Sequence, residues 1–184
     1  MGRIGALALV GSGEYLPVMQ DLESALLNSG ISNGKPNIFL QIPTAAGEES
    51  AERLKFWESR GADQARRIGT FQEFLPIFRR EDAFNEKYIS LVKSAALIYF
   101  SGGDPGYLAN SLYETPLWDE IKKNWLAGAS LAGCSAGAMA FSSDVPNFFR
   151  MKEGGIPGLN VIYDQSHITI NFLVGFQIAR QKLL

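Results

Sequence analysis

One five-residue stretch can do chemistry on its residue types and spacing alone. Gly133-Cys134-Ser135-Ala136-Gly137 has the G-x-S-x-G pattern, in which a serine sits on a sharp strand-to-helix turn with its hydroxyl pushed out of the sheet. Such a bend needs small neighbours, and Gly133, Ala136, Gly137 and Ala138 are all small. Ser135 is therefore a candidate nucleophile toward a carbonyl carbon. The Ala136 N–H, at the start of the following helix, is a candidate donor to the oxyanion that such an attack creates. An ordinary Gly/Ala-rich turn would also fit these residues. Cys134 lies one position from the exposed centre of the turn and reads as a small buried hydrophobe.

A serine nucleophile needs a base to take its proton. The chain has a single histidine, His167, in Asp164-Gln165-Ser166-His167, so His167 is that base or there is no Ser-His mechanism. A Ser-Lys arrangement stays open, although no lysine stands in a recognisable motif. A carboxylate should orient the imidazole. Glu153 lies between Ser135 and His167 in the chain, with Asp144 and Asp164 as rivals, and Glu153 would serve equally as a solvated loop charge. A second oxyanion donor is offered by Ser101-Gly102-Gly103-Asp104, where paired glycines let a backbone amide approach a ligand. The same residues also suit a turn in which Asp104 caps a helix beginning at Pro105.

These residues must be positioned by the elements around them. Short apolar runs at Ile4–Val10, Asn37–Ile42, Phe71–Ile77, Ala95–Phe100, Ala129–Gly133 and Val161–Gln165 read as strands. Helical spacing is found over Leu16–Asn28, through Leu16, Met19, Leu22, Ala25 and Leu26. Further helices are expected over Glu48–Arg60, with Gly61 as the stop, over Asp82–Lys93, over Gly106–Lys123 with a break at Pro116, over Ala138–Phe141 and over Ile170–Leu183. The β-α-β-α order predicts an α/β fold, a mainly parallel sheet with helices on both faces. Ligands bind such sheets outside the carboxyl ends of the strands. That rule selects four loops: Gly11–Tyr15, Pro43–Glu48, Ser101–Gly106 and Gly133–Gly137.

Composition narrows the classes further. The 184 residues, 46% hydrophobic and 20% charged, suit one domain over 1–184 and argue against disorder. A net charge of −2 gives no basic excess of the kind nucleic-acid binding uses. No run approaches the ~20 apolar residues of a membrane span, and Met1–Val10 lacks the shape of a signal peptide. One cysteine excludes an internal disulfide framework. A cytoplasmic setting is the expectation.

Taken together the motifs resemble the cyanophycinase and aspartyl dipeptidase (dipeptidase E) family of serine peptidases. The matching pieces are Gly11-Ser12-Gly13-Glu14, Ile42-Pro43-Thr44-Ala45, Phe100-Ser101-Gly102-Gly103-Asp104, Gly133-Cys134-Ser135-Ala136-Gly137-Ala138 and Asp164-Gln165 just before His167, in family order over nearly the whole chain. The resemblance implies a class I glutamine amidotransferase-like (flavodoxin-like) fold and a Ser-His-acid mechanism without metal or cofactor. On it, Ser135 matches the nucleophile, His167 the base and Glu153 the acid. Gly103 and Ala136 match the oxyanion donors, and Asp104 and Gln165 fall where substrate is contacted. In class I glutamine amidotransferases the centre of the elbow is a cysteine, whereas here it is Ser135.

The chain also departs from the family. Cyanophycinases usually read Gly-Gly-Asn-Gln at Gly102-Gly103-Asp104-Pro105, and Asp-Gln-His where this chain inserts Ser166. The arginines that follow the histidine there are absent from Ile168–Leu173; Arg180 comes late, and Arg150 belongs to another segment. Cyanophycin is therefore not expected as a substrate. A pocket formed by Phe148, Phe149, Phe172 and Tyr107 would suit an uncharged residue. The chain stops at Leu184 within a helical pattern where family members commonly add strands, which reads as a truncated or minimal form; an uncovered edge would favour a homo-oligomer. Two functions follow: a serine peptidase-like hydrolase of a small peptide or amide, or a non-catalytic amidotransferase-like binding or assembly module.

Overall fold

In the computed structural model, which describes residues 3–145 and 156–161, five parallel strands carry the architecture. They are β1 (Leu7–Val10), β2 (Ile38–Ile42), β3 (Phe71–Phe74), β4 (Leu97–Phe100) and β5 (Ser130–Cys134), in the order β1-β5-β4-β2-β3. Register runs Val10 to Cys134, Phe100 to Gly133 and Ile42 to Phe100. The carboxyl ends of β1, β5, β4 and β2 are thus side by side, and the four loops selected from the sequence emerge along one edge. A two-residue antiparallel ribbon, β6 (Asp144–Val145) with β7 (Ile156–Pro157), was not anticipated.

Six α-helices cover the sheet among the described residues: α1 (Gln20–Ser32), α2 (Ala51–Arg67), α3 (Glu86–Val92), α4 (Pro105–Leu112), α5 (Pro116–Leu126) and α6 (Ala136–Met139). Strand residues alternate between two cores. Leu40, Ile42, Ile98, Phe100 and Leu131 pack with Leu108, Leu112, Trp118, Ile121 and Trp125. Phe39, Leu97, Tyr99, Ala132 and Cys134 pack with Met19, Leu26, Leu27, Ala65 and Tyr15 on the opposite face. Burying a side chain of the size of Leu97 or Phe39 contributes about 2–3 kcal/mol. No helix of the described residues is long and apolar enough to cross a membrane.

Helix starts follow local chemistry. Ser50 Oγ accepts from the Arg53 N–H at 3.3 Å and begins α2, and Thr115 Oγ1 accepts from the Trp118 N–H at 3.3 Å ahead of Pro116 in α5. Pro116 starts a helix here, as well as separating it from α4. Two expectations need correction. Gly61 does not stop a helix: α2 runs on to Arg67 with Gly61 buried inside it. A Cβ at Gly61 would lie 2.0 Å from Gln41 Oε1, so this glycine admits a buried strand side chain against the helix. In α1 the inward face is Glu23, Leu26, Leu27 and Gly30, with Met19 just ahead of the helix, while Leu16 and Ala25 are exposed. A charged residue therefore occupies the core face that the apolar spacing assigned elsewhere.

Candidate active site

Ser135 links β5 to α6 with φ 52° and ψ −115°, a conformation that costs a non-glycine residue of order 1–3 kcal/mol. The fold holds it from both sides: the Ser135 N–H donates to the Val10 carbonyl at 2.8 Å and the Met139 N–H donates to the Ser135 carbonyl at 3.0 Å. Glycine is required on either side for steric reasons. A Cβ at Gly133 would meet the Gly137 backbone at 2.6 Å, and one at Gly137 would meet the Phe100 carbonyl oxygen at 2.4 Å. The helix folds back so closely over β5 and β4 that only Gly133 and Gly137 fit. Ser135 is exposed, whereas its neighbours Cys134 and Ala136 are buried.

The loop after β4 lies against this turn. A Cβ built on Gly102 would lie 3.3 Å from Ser135 Cβ and 3.1 Å from Glu14 Oε2, so Gly102 faces the serine and the glutamate together. The Gly102 N–H donates to Glu14 Oε1 at 2.9 Å. The Asp104 N–H donates to the Ala45 carbonyl at 2.8 Å. Among the described residues the Gly103 and Ala136 N–H groups have no acceptor. Gly103 has φ 142°, and a Cβ there would lie 2.2 Å from the Ala45 oxygen, so the loop after β2 presses it into place.

Asp104, placed with substrate by resemblance, caps α4: its Oδ1 accepts from the Tyr107 N–H at 2.9 Å, with Pro105 at the first helical position. Tyr107 lines an open cleft of about 660 Å³ with Glu48, Arg79, Arg80, Asn110 and Ser111, and its hydroxyl donates to the Phe78 carbonyl at 2.6 Å. That surface is polar and charged; three of the four residues of the expected apolar pocket, Phe148, Phe149 and Phe172, lie outside the described residues. Glu153, Asp164, Gln165 and His167 lie outside the described residues, as do Phe148, Phe149, Arg150, Phe172 and Arg180. Of the proposed triad only Ser135 is described. The rival acid Asp144 lies in β6 and is exposed.

Cys134 is fully buried on the α1/α2 side. Burial, and then the charge of Glu14, push its thiol well above the ordinary cysteine range. A thiol so held is protonated and inert at neutral pH, as the buried-hydrophobe reading requires.

Two acidic residues escaped the sequence reading. Glu14 belongs to the Gly11-Ser12-Gly13-Glu14 motif but carries no role of its own in the sequence reading, yet it faces the Gly102 amide and the Cys134 thiol, and burial raises its pKa. Glu23 is fully buried, and neither carboxylate oxygen has a hydrogen-bond partner among the described residues. Burial pushes its pKa up to about 7, against opposing contributions from Gln64, Tyr99 and Arg67. The signal for Glu23 was its spacing, four residues from both Met19 and Leu27, which places it on the apolar face.

Similarity to known proteins fits this arrangement. The family model described as Peptidase family S51 matches residues 7–151. A peptidase from an acI-B1 Actinobacterium, solved by crystallography, is 56% identical with a TM-score of 0.85, over 88% of this chain and 66% of that one. This chain thus spans 66% of that peptidase's length. A Listeria monocytogenes EGD-e protein, described as a candidate peptidase E, is 22% identical with a TM-score of 0.59, over 85% of this chain and 75% of that one, a likeness that speaks for the fold. No curated protein matches the sequence. The matched region holds all four loops at the sheet edge, with the strained serine turn among them, and the chain belongs to peptidase family S51.

Proposed function

We propose that the protein is a serine-type peptidase that cleaves a small peptide or amide in a cytoplasmic setting. The observation that carries this reading is Ser135, exposed at a positive φ beside a glycine loop with an uncommitted amide. In the proposed reaction the Ser135 hydroxyl oxygen attacks the substrate carbonyl carbon, and its proton passes to His167. The carbonyl π pair moves to oxygen, and the resulting anion takes hydrogen bonds from the Gly103 and Ala136 N–H groups. Its collapse breaks the carbon–nitrogen bond as His167 returns the proton to the leaving amine. Water then attacks the acyl-serine by the same steps, releasing the acid and restoring Ser135. The role of orienting the imidazole is assigned to Glu153, and that of contacting the substrate to Gln165. Asp104 acts on the substrate side from the loop that leads into α4, the helix it caps.

Membership of family S51, with a peptidase relative at 56% identity, supports this reading. The test is labelling with a fluorophosphonate probe. The wild-type chain is labelled at Ser135, Ser135→Ala is not, and turnover falls on the order of 10⁶-fold. Equal labelling of Ser135→Ala refutes the assignment. Competition by acidic dipeptides, uncharged dipeptides and cyanophycin then sorts substrates; cyanophycin should not protect.

A further inference from the structure

Three successive amides in the loop after β4 have separate fates. The Gly102 N–H goes to the Glu14 carboxylate, the Asp104 N–H goes to the Ala45 carbonyl, and the Gly103 N–H between them is left without an acceptor among the described residues. A Gly-Gly pair can present either amide toward a ligand, because glycine accepts both signs of φ. Ala45 alone does not decide which, since it acts on Gly103 and Asp104 and leaves Gly102 untouched. Glu14 is the group that holds Gly102. It reaches Gly102 from the loop after β1, across the β5 turn that carries Ser135.

The surroundings of Glu14 suit an acceptor for one N–H. From β5 it faces the Cys134 thiol; near the start of α2 lie Glu49 and Arg53, which pair with each other at 3.3 Å; Tyr15 follows it in the chain, and Tyr99 and Glu23 lie on the buried side. No described lysine or arginine pairs with Glu14. The Gly102 N–H is thus its one hydrogen bond of good geometry among the described residues. Hydrogen bonds to an ionised acceptor are about twice as strong as neutral ones.

We propose that Glu14 is a positioning residue of the active site: by holding the Gly102 N–H it fixes the glycine loop against Ser135 and dedicates the Gly103 N–H to the oxyanion. This rests on the serine-peptidase reading. Glu14 acts through the loop and need not touch substrate. A donor that matters only once charge develops affects kcat more than KM.

Two variants and two readouts test it. Glu14→Met removes the acceptor, while Glu14→Gln keeps an oxygen for Gly102 but cannot ionise. Removing one oxyanion donor costs ~10²–10³ in kcat, so a displaced donor in Glu14→Met should cost about 10–100-fold with KM changed less than threefold. Glu14→Gln should restore most of that kcat at pH 8. The second readout is the Gly102 amide proton in NMR spectra of isotope-labelled protein. In the wild type it is shifted downfield and moves with pH as Glu14 ionises; in Glu14→Gln it does not titrate, and in Glu14→Met it moves upfield. A Glu14→Met enzyme with wild-type kcat, or a Gly102 amide that ignores both pH and substitution, overturns the proposal. Absence of probe labelling in the wild type would count against the peptidase reading alone, because the amide reports the Glu14 contact whether or not the chain turns over substrate.

Discussion

Glu23→Gln should remove about 3 kcal/mol of the loss of stability that the wild type shows as pH rises toward 8. Glu23 is fully buried against Gln64 and Arg67 of α2 and Tyr99 of β4, with the charge of Glu14 also felt. Its pKa rises from 4.5 to about 7, chiefly through burial. An acid whose pKa is raised on folding contributes its stability below its unfolded value and loses it as pH climbs through the folded value. The wild type is therefore favoured near pH 4.5–5 and loses about 3 kcal/mol from this group by pH 8, at 1.36 kcal/mol per pKa unit. For a chain of this size each kcal/mol moves Tm by about 2–4 °C, so this group alone should lower the wild-type Tm by roughly 6–12 °C over that range. Glutamine has nearly the same shape and no titration. The assay is thermal unfolding by circular dichroism in a pH series on both proteins. Comparing slopes rather than absolute Tm cancels the intrinsic cost of the swap, and also Glu14 and every other titrating group shared by the two chains. Parallel profiles for wild type and Glu23→Gln would refute the reasoning.

Gly103→Ala should lower fluorophosphonate labelling of Ser135 more than tenfold in a folded protein, because φ 142° and a backbone oxygen 2.2 Å from the new Cβ force the loop to move; undiminished labelling would show that the loop takes no part. Gly61→Ala should lower Tm, at a cost of about 1–3 kcal/mol from overpacking against Gln41, whose Nε2 is bonded to the Trp57 carbonyl at 2.8 Å. Helix propensity alone predicts the opposite sign, so a raised Tm would refute the packing argument. Native Cys134 should resist iodoacetamide at pH 8 for hours and react at once in denaturant, as mass spectrometry of the peptide would show; rapid modification of the folded protein would mean that the thiol is accessible and ionised.

Much of the candidate-site edge could be read from single stretches of chain. The serine turn, the glycine loop and the Asp104 cap involve residues within a few positions of one another, and their chemistry is local. Gly133 follows from the tightness of one turn, Asp104 and Tyr107 from the first turn of one helix, whereas Gly137 is also demanded by the Phe100 carbonyl of the neighbouring strand. The alternation of strands and helices likewise follows from periodicity, which each segment carries by itself. Element ends shifted where short-range rules compete with packing: Gly61 reads as a helix stop, but α2 runs on to Arg67, and residue 61 is a glycine because the Gln41 side chain packs against the helix there.

What the sequence determined, then, is the alternation of strands and helices over most of the described residues, the parallel α/β class and a tight turn at Ser135. Tertiary structure decided which distant groups meet. Residues 14 and 102 are 88 positions apart, and they touch because β5 enters the sheet between β1 and β4, aligning three loops along one edge. Glu23 is buried because α1 turns that face to Tyr99 and α2, a rotation set by the whole apolar surface of the helix and not by the charge itself. Strand order and helix rotation are properties of the packed chain. Spacing along the sequence fixes neither, since the free energy that selects them comes from contacts between segments remote in sequence.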